Sequence, residues 1–315
     1  MKKTDRRQFL VTSASALAVA SISGSKGFAA TPHKMTMDLI CGRLGVKADQ
    51  KQAIDFAARH GFESVGPNAR ELAKFSDQQL TELKAELKAK KLVFSAAGMP
   101  VDFRGDEDKF KKGLADLPAE AAALQRAGVT RIGTWLKPFS DELTYMQNFR
   151  QHGVRLREVG KILADHGLRF GLEYVGTKTL WTSKKYSFVH TMAETKELLA
   201  EINVPTVGFV LDSWHWFTAN ETGEDILSLS NDQIVAVDLN DAPKGIELDD
   251  QLDNKRELPM ATGVIDMATF LKALNQLGYD GPVRAEPFNA ALRKMDAEDA
   301  VAATAAAMKK AFALI

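Results

Sequence analysis

Residues 207–216 read VGFVLDSWHW: four apolar positions, Val207, Phe209, Val210 and Leu211, then a carboxylate, Asp212, then His215 between two tryptophans. A short apolar run of this length reads as a buried strand. A carboxylate at its end needs a reason. Either Asp212 caps the helix or turn that follows, or it belongs to a site built at the strand's C-terminal end.

The rest of the chain repeats the pattern. Strand cores of the same kind are MDLICG, FESVGP, LVFSAAG, VTRIGTWL, LRFGLEYVG, VGFVLDSW, IVAVDLND and PVRAEPFN. Between them apolar residues fall three and four apart, as at Leu80, Leu83 and Leu87, or Phe270, Leu271, Leu274 and Leu277. That is the spacing of an amphipathic helix. Glycines stand just before the next strand in RHGFESV, RAGVTRI, DHGLRFG and LGYDGPV, where a glycine supplies the left-handed residue that ends a helix. Eight βα units with no linker rich in Pro, Gly or Ser predict an α/β fold, a single (β/α)8 TIM barrel over residues 31–315. No GxGxxG turn follows the first strand, so a dinucleotide-binding fold has no support.

Composition excludes some functions. The 41 basic and 41 acidic residues balance, which argues against a nucleic-acid surface. Cys41 is the one cysteine, so no intrachain disulfide staples the fold. At the N-terminus TDRRQFL places Arg6 and Arg7 before an apolar, small-residue run from Leu10 to Ile22, and KGFAA follows. These features predict a twin-arginine export signal over residues 1–30, cleaved near Ala30, which the export machinery would read on the way to the periplasm. The run is broken by Ser13, Ser15 and Ser21 and is shorter than the ~20 apolar residues of a spanning helix. A stable membrane anchor is therefore not expected.

In a barrel of this kind the active site lies at the C-terminal strand ends. The last four strands end on Glu173, Asp212, Asp238 and Glu286. Four carboxylates converging there would repel one another strongly unless protons or a cation neutralised them, and one divalent metal ion is the simplest resolution. Asp238 lies in DLNDAP, where an Asx turn is an equal alternative. Side chains alternate along a strand, so an inward Glu286 puts Arg284 inside as well. A guanidinium there needs a carboxylate; Glu63 is the expected partner, with Gly171 and Ala236 making room.

GLEYVG, LDSWHW, VAVDLNDAP and GVIDMATFLKALNQLGYDGPVRAEPFN together resemble the sugar phosphate isomerase/epimerase family with the xylose-isomerase-like TIM barrel, from about Met35 to the end. The resemblance implies a divalent ion on Glu173, Asp212, position 238 and Glu286, with His215 of the Asp-x-x-His pair touching substrate. The family usually has His at position 238, where this chain has Asp. An all-oxygen set favours Mn²⁺ or Mg²⁺ over Zn²⁺. The resemblance also implies Glu173 and Glu286 as the catalytic pair that moves a proton at a carbon beside a carbonyl.

Trp135, Trp181 and Trp214 or Trp216 offer ring faces for a sugar. Lys178, Lys184 and Lys185 read as a solvated, lysine-rich loop, and export points away from sugar phosphates. The long segment KGIELDDQLDNKRELPMATG brings Arg256 and Glu257 over the substrate, or against a neighbouring subunit of a homo-oligomer. Three readings follow. The first is an isomerase or epimerase of an unphosphorylated sugar. The second is a lyase or hydratase of 3-keto sugars or glycosides using the same chemistry, and the third is a sugar-binding barrel without catalysis. A DNA-repair endonuclease on this barrel needs more site histidines than His33, His60, His152, His166, His190 and His215 provide.

Overall fold

The computed structural model describes residues 33–315, and the export signal expected at residues 1–30 lies outside them. The strands are β1 Thr36–Leu39, β2 Ser64–Val65, β3 Val93–Phe94, β4 Ala96–Gly98, β5 Arg131–Trp135, β6 Phe139–Ser140, β7 Arg169–Glu173, β8 Tyr186–Ser187, β9 Val207–Asp212, β10 Ile234–Leu239 and β11 Pro282–Ala285. Nine of them make one parallel sheet in the order β3-β2-β1-β11-β10-β9-β7-β5-β4, while β6 and β8 pair apart from it as a short antiparallel ribbon. Only Ser95 separates β3 from β4. The two edges of the sheet are thus halves of one stretch of chain, and the ring closes with eight strand positions. This is the expected (β/α)8 barrel.

Helices flank the strands, and their ends follow local chemistry. Asp49 with Gln52, Ser76 with Gln79 and Thr191 with Glu194 form reciprocal capping boxes, which satisfy two of a helix's orphan amides at once. Gly61 and Gly128 end their helices at φ of 76° and 86°, a region that favours glycine. Among the described residues no helix is long and apolar enough to cross a membrane.

The strand interior is layered along the barrel axis. At the N-terminal end Arg131 donates to the Val235 carbonyl (3.0 Å) and Arg169 to those of Asp232 and Ile234 (2.8 Å each). Above them Ala96, Val210 and Ala236 form a small apolar layer. A Cβ at Gly171 would lie 2.7 Å from Val210 Cγ2. The space expected to admit Arg284 is therefore filled by Val210. The next layer is charged: Asp212, Asp238, Arg284 and Asp38 stand in register on β9, β10, β11 and β1, all buried.

Candidate active site

Asp212 answers the opening question in both ways. Its Oδ1 accepts the Trp214 amide (2.8 Å), capping the helix Ser213–Thr218, and also the Asn240 side-chain amide (2.8 Å). Its Oδ2 accepts Nη1 of Arg256 (2.7 Å). One carboxylate thus ends the strand, starts the helix and holds a guanidinium at the barrel mouth.

Arg284 does point inward, and its partner is Asp238: Nε donates to Oδ1 (2.5 Å) and Nη2 to Oδ2 (3.1 Å). The expectation of Glu63 is corrected. Glu63 is exposed and accepts the Met37 amide (2.9 Å). Register explains the exchange, because Asp238 and Arg284 are directly paired on adjacent strands. Burial works against ionising Asp238, yet Arg284 and Arg43 hold its carboxyl below the usual range. The turn-forming work in DLNDAP falls to Asp241, whose oxygens accept the amides of Ala242, Thr262, Gly263, Val264 and Ile265. Those bonds pin the far end of the long segment that delivers Arg256.

Glu286 follows β11 and lies between Arg43 and Arg256, the latter at 3.4 Å. Glu173 ends β7 buried, and its Oε1 has no hydrogen-bond partner among the described residues. Burial first, then the charges of Asp238 and Asp212, hold its carboxyl well above the usual range. Glu173 therefore holds its proton more tightly than an ordinary glutamate does. Burial, then Arg256, pushes His215 down to about 4, so its ring is neutral. Its Nδ1 accepts the Gly176 amide (3.3 Å), and its Nε2 lies 3.2 Å from Arg256 Nη2.

These groups line a cavity of about 530 Å³, faced on the other side by Gly98, Met99, Gly133 and Thr134. That volume suits a small polyhydroxylated molecule. Trp135 and Arg256 are in the lining as expected. Trp181 instead stacks on His190, with ring centroids 4.5 Å apart, and its neighbour Leu180 lines the cavity. Trp214 is fully buried, bonded to Thr177 Oγ1 (2.9 Å), with the Arg256 guanidinium 5.3 Å above its ring. Its work is to seat Arg256 rather than to face a substrate. Trp216 packs on Phe270. Lys178 and Lys184 pair with Asp249 and Asp141 at the surface.

Four functional candidates escaped the sequence reading. Arg43 sits in CGRL just after β1, and Arg104 follows β4, its Nη2 donating to Thr134 Oγ1 (2.7 Å). Asp253 accepts Arg256 Nη2 (2.8 Å). Asp38 is buried with neither oxygen bonded among the described residues, and burial pushes it up to about 6. Position after a strand core was the available signal for Arg43.

An acidic cluster of the kind that binds metals is present. Glu173, Asp212 and His215, and likewise Glu173, Asp238 and Glu286, bring donor atoms within 4.8 Å of one another. The spacing suits an ion, and three of the four expected ligand carboxylates also meet arginines. Arg256 holds Asp212 and approaches His215, Arg284 takes both oxygens of Asp238, and Arg43 meets Glu286. In this arrangement guanidiniums compete with a divalent ion for three of the four carboxylates.

A family model described as Xylose isomerase-like TIM barrel matches residues 54–311. The inosose isomerase of Bacillus subtilis (strain 168) is 27% identical over 146 residues, 46% of this chain and 49% of that protein. The 3-dehydroshikimate dehydratase of Pseudomonas putida is 26% identical over 247 residues, 77% of this chain and 36% of that protein. The chain thus spans about half the length of the first of these relatives and about a third of the second. Among solved structures, a xylose isomerase domain protein from Alicyclobacillus acidocaldarius subsp. acidocaldarius is 30% identical with a TM-score of 0.76, covering 86% of this chain and 96% of that one. The IOLI protein, solved with a binding zinc atom, shares the fold at 19% identity and a TM-score of 0.73, over 88% and 98% of the two chains. Sequence, fold and the strand-end cluster agree: this chain belongs to the xylose isomerase-like TIM barrel family.

Proposed function

We propose that the barrel is an isomerase or epimerase that moves a proton at a carbon beside a carbonyl, on an unphosphorylated sugar or sugar derivative. One observation carries the reading. Glu173, held toward its neutral form by burial and without a hydrogen-bond partner among the described residues, stands within 4.8 Å of Glu286 in the wall of a cavity rich in guanidiniums. Two carboxyl groups in unlike environments divide the roles of acid and base.

In this mechanism Glu286 accepts the proton as the C–H bond breaks, and the electron pair moves onto the carbonyl oxygen. The N–H groups of Arg43 and Arg256 stabilise the resulting enediolate oxygen. Polarising the carbonyl, the task expected of Mn²⁺ or Mg²⁺, falls in this reading to those guanidiniums. Glu173 then delivers its proton to the opposite face of the same carbon, which inverts it, or to the neighbouring carbon while the hydroxyl proton passes between the two enediolate oxygens, which shifts the carbonyl. Neutral His215 and Trp135 position the hydroxyl groups and ring.

The second reading is a lyase, in which the same enediolate expels a group from the β carbon. The dehydratase relative, aligned over 77% of this chain, favours keeping it. Periplasmic action is proposed from Arg6 and Arg7 and the apolar run after them, and it suits unphosphorylated substrates.

The test is a panel of ketoses, keto-polyols and 3-keto glycosides incubated in D2O. Deuterium gained at the α carbon together with an epimer or isomer supports the first reading. Release of water or an aglycone selects the lyase. Binding without exchange would leave a sugar-binding barrel. Glu173→Gln is expected to lower kcat by about 10²–10⁴-fold without lowering the melting temperature. Wild-type turnover in that variant removes Glu173 from the chemistry.

A further inference from the structure

We propose that guanidinium groups have taken the place of a divalent ion in this barrel: Arg256 and Arg43 occupy the two points where the carboxylates converge, and Arg284 withdraws Asp238 from any ligand set. The inference deepens the proposed function and rests on that reading of the site.

Each of the two donor groups already encloses a guanidinium. In the first, Arg256 reaches two of three donors, Asp212 Oδ2 at 2.7 Å and His215 Nε2 at 3.2 Å. In the second, Arg284 takes both oxygens of Asp238, and Arg43 meets Glu286 and lies 3.6 Å from Asp238 Oδ2. Glu173, common to both groups, is the one member without a bonded cation. A divalent-metal site needs three or four deprotonated ligands, and here all but Glu173 already neutralise or meet a guanidinium.

These arginines are built in. Arg256 and Arg284 are 2% and 3% exposed. Arg256 donates Nε to the Asp253 carbonyl and Nη2 to the Asp253 carboxylate, both at 2.8 Å, and lies between the rings of Trp214 and Phe288. Arg284 is fixed by strand register opposite Asp238. A side chain held in that way does not swing aside for an ion, and arginine does not lose its charge.

Chemistry allows the exchange. A guanidinium presents paired N–H groups in a planar fork that can hold two oxygens at once. The fork matches the vicinal oxygens of an α-hydroxyketone and of the enediolate formed from it. The substrate class implied is an α-hydroxyketone with both oxygens facing the wall of β10, β11 and β1. Arg104 extends the same recognition from the far side: it lines the cavity, and its Nε has no partner among the described residues.

The experiment is elemental analysis and calorimetric titration with Mn²⁺ and Zn²⁺ on the full chain, purified without a metal-affinity step. The same titration is run on Asp238→His combined with Arg284→Thr, which replaces a buried ion pair by a neutral nitrogen ligand. The wild type is expected to carry well under one ion per chain and to show no saturable Mn²⁺ or Zn²⁺ binding. The double variant is expected to gain one ion per chain. One tightly held ion per wild-type chain, lost in Asp212→Ala, would overturn the proposal. If the double variant does not fold, the wild-type measurement decides alone. Because metal content is read without turnover, its outcome is separate from that of the D2O experiment: deuterium exchange with a bound ion sinks this inference and spares the proposed function.

Discussion

Along β9, β10, β11 and β1 the barrel mouth presents Asp212, Asp238, Arg284 and Asp38 in one register line, whereas β4 and β5 across from it present Gly98, Gly133 and Thr134. The first wall is rigid because Asp212 and Asp238 are each tied to a buried guanidinium. The second is spare because glycine leaves volume. A reaction that moves a proton needs fixed charges on one side and room for a ring on the other. The contrast between the walls is thus a division of labour between chemistry and fit.

The sharpest way to break the comparison is Arg284→Met. It leaves Asp238 charged in the interior with its bidentate partner gone and Arg43 3.6 Å away, and is expected to cost about 3–5 kcal/mol of stability, read as the shift of the denaturant midpoint. Adding Asp238→Leu should recover most of the loss, since a buried pair is replaceable by apolar side chains. A single variant as stable as the wild type would show that the charged wall does not hold the barrel.

Asp38 sharpens the same wall through pH. Its folded-state value is about 6 against 3.8 for an ordinary aspartate, with burial as the leading cause. The folded chain therefore keeps a proton that the unfolded chain releases. Stability is fully present below pH 4 and falls as pH rises through 6, by about 3 kcal/mol in all. Asp38→Asn should remove that slope and leave the protein more stable at pH 8 than the wild type. Parallel stability curves for the two proteins between pH 4 and pH 8 would place the proton elsewhere.

The smallest effect is expected on the spare wall. A Cβ built at Gly98 meets nothing within 4 Å, so Gly98→Val fits the fold and narrows the cavity. It should raise KM by roughly tenfold with an unchanged melting temperature. An unchanged KM would mean that substrate does not lie against β4.

Legibility in the sequence follows the range of each interaction. The eight strand positions were readable because a buried parallel strand is a local apolar run, and helix ends because caps involve residues two to four apart. Glu173, Asp212, Asp238 and Glu286 were readable as a convergent set because barrels gather strand ends. The inward direction of Arg284 followed from alternation. Its partner did not, because alternation names a face and not a neighbour: Asp238, not Glu63, stands beside it in register. Trp214 was misread for a related reason, since its ring seats Arg256, which is 42 positions away in sequence.

By itself the sequence determined the barrel, the strand-end carboxylates and the helix that Asp212 begins, all set by local pattern and by the one way eight βα units close. Only the tertiary structure decided which charge meets which. Arg43, Arg256 and Arg284 arrive from an early turn, a late loop and a neighbouring strand, and their pairing depends on sheet stagger and loop path. Those quantities leave no periodic trace in the chain, yet they determine whether the centre of this barrel is a set of open ligands or a closed network of ion pairs.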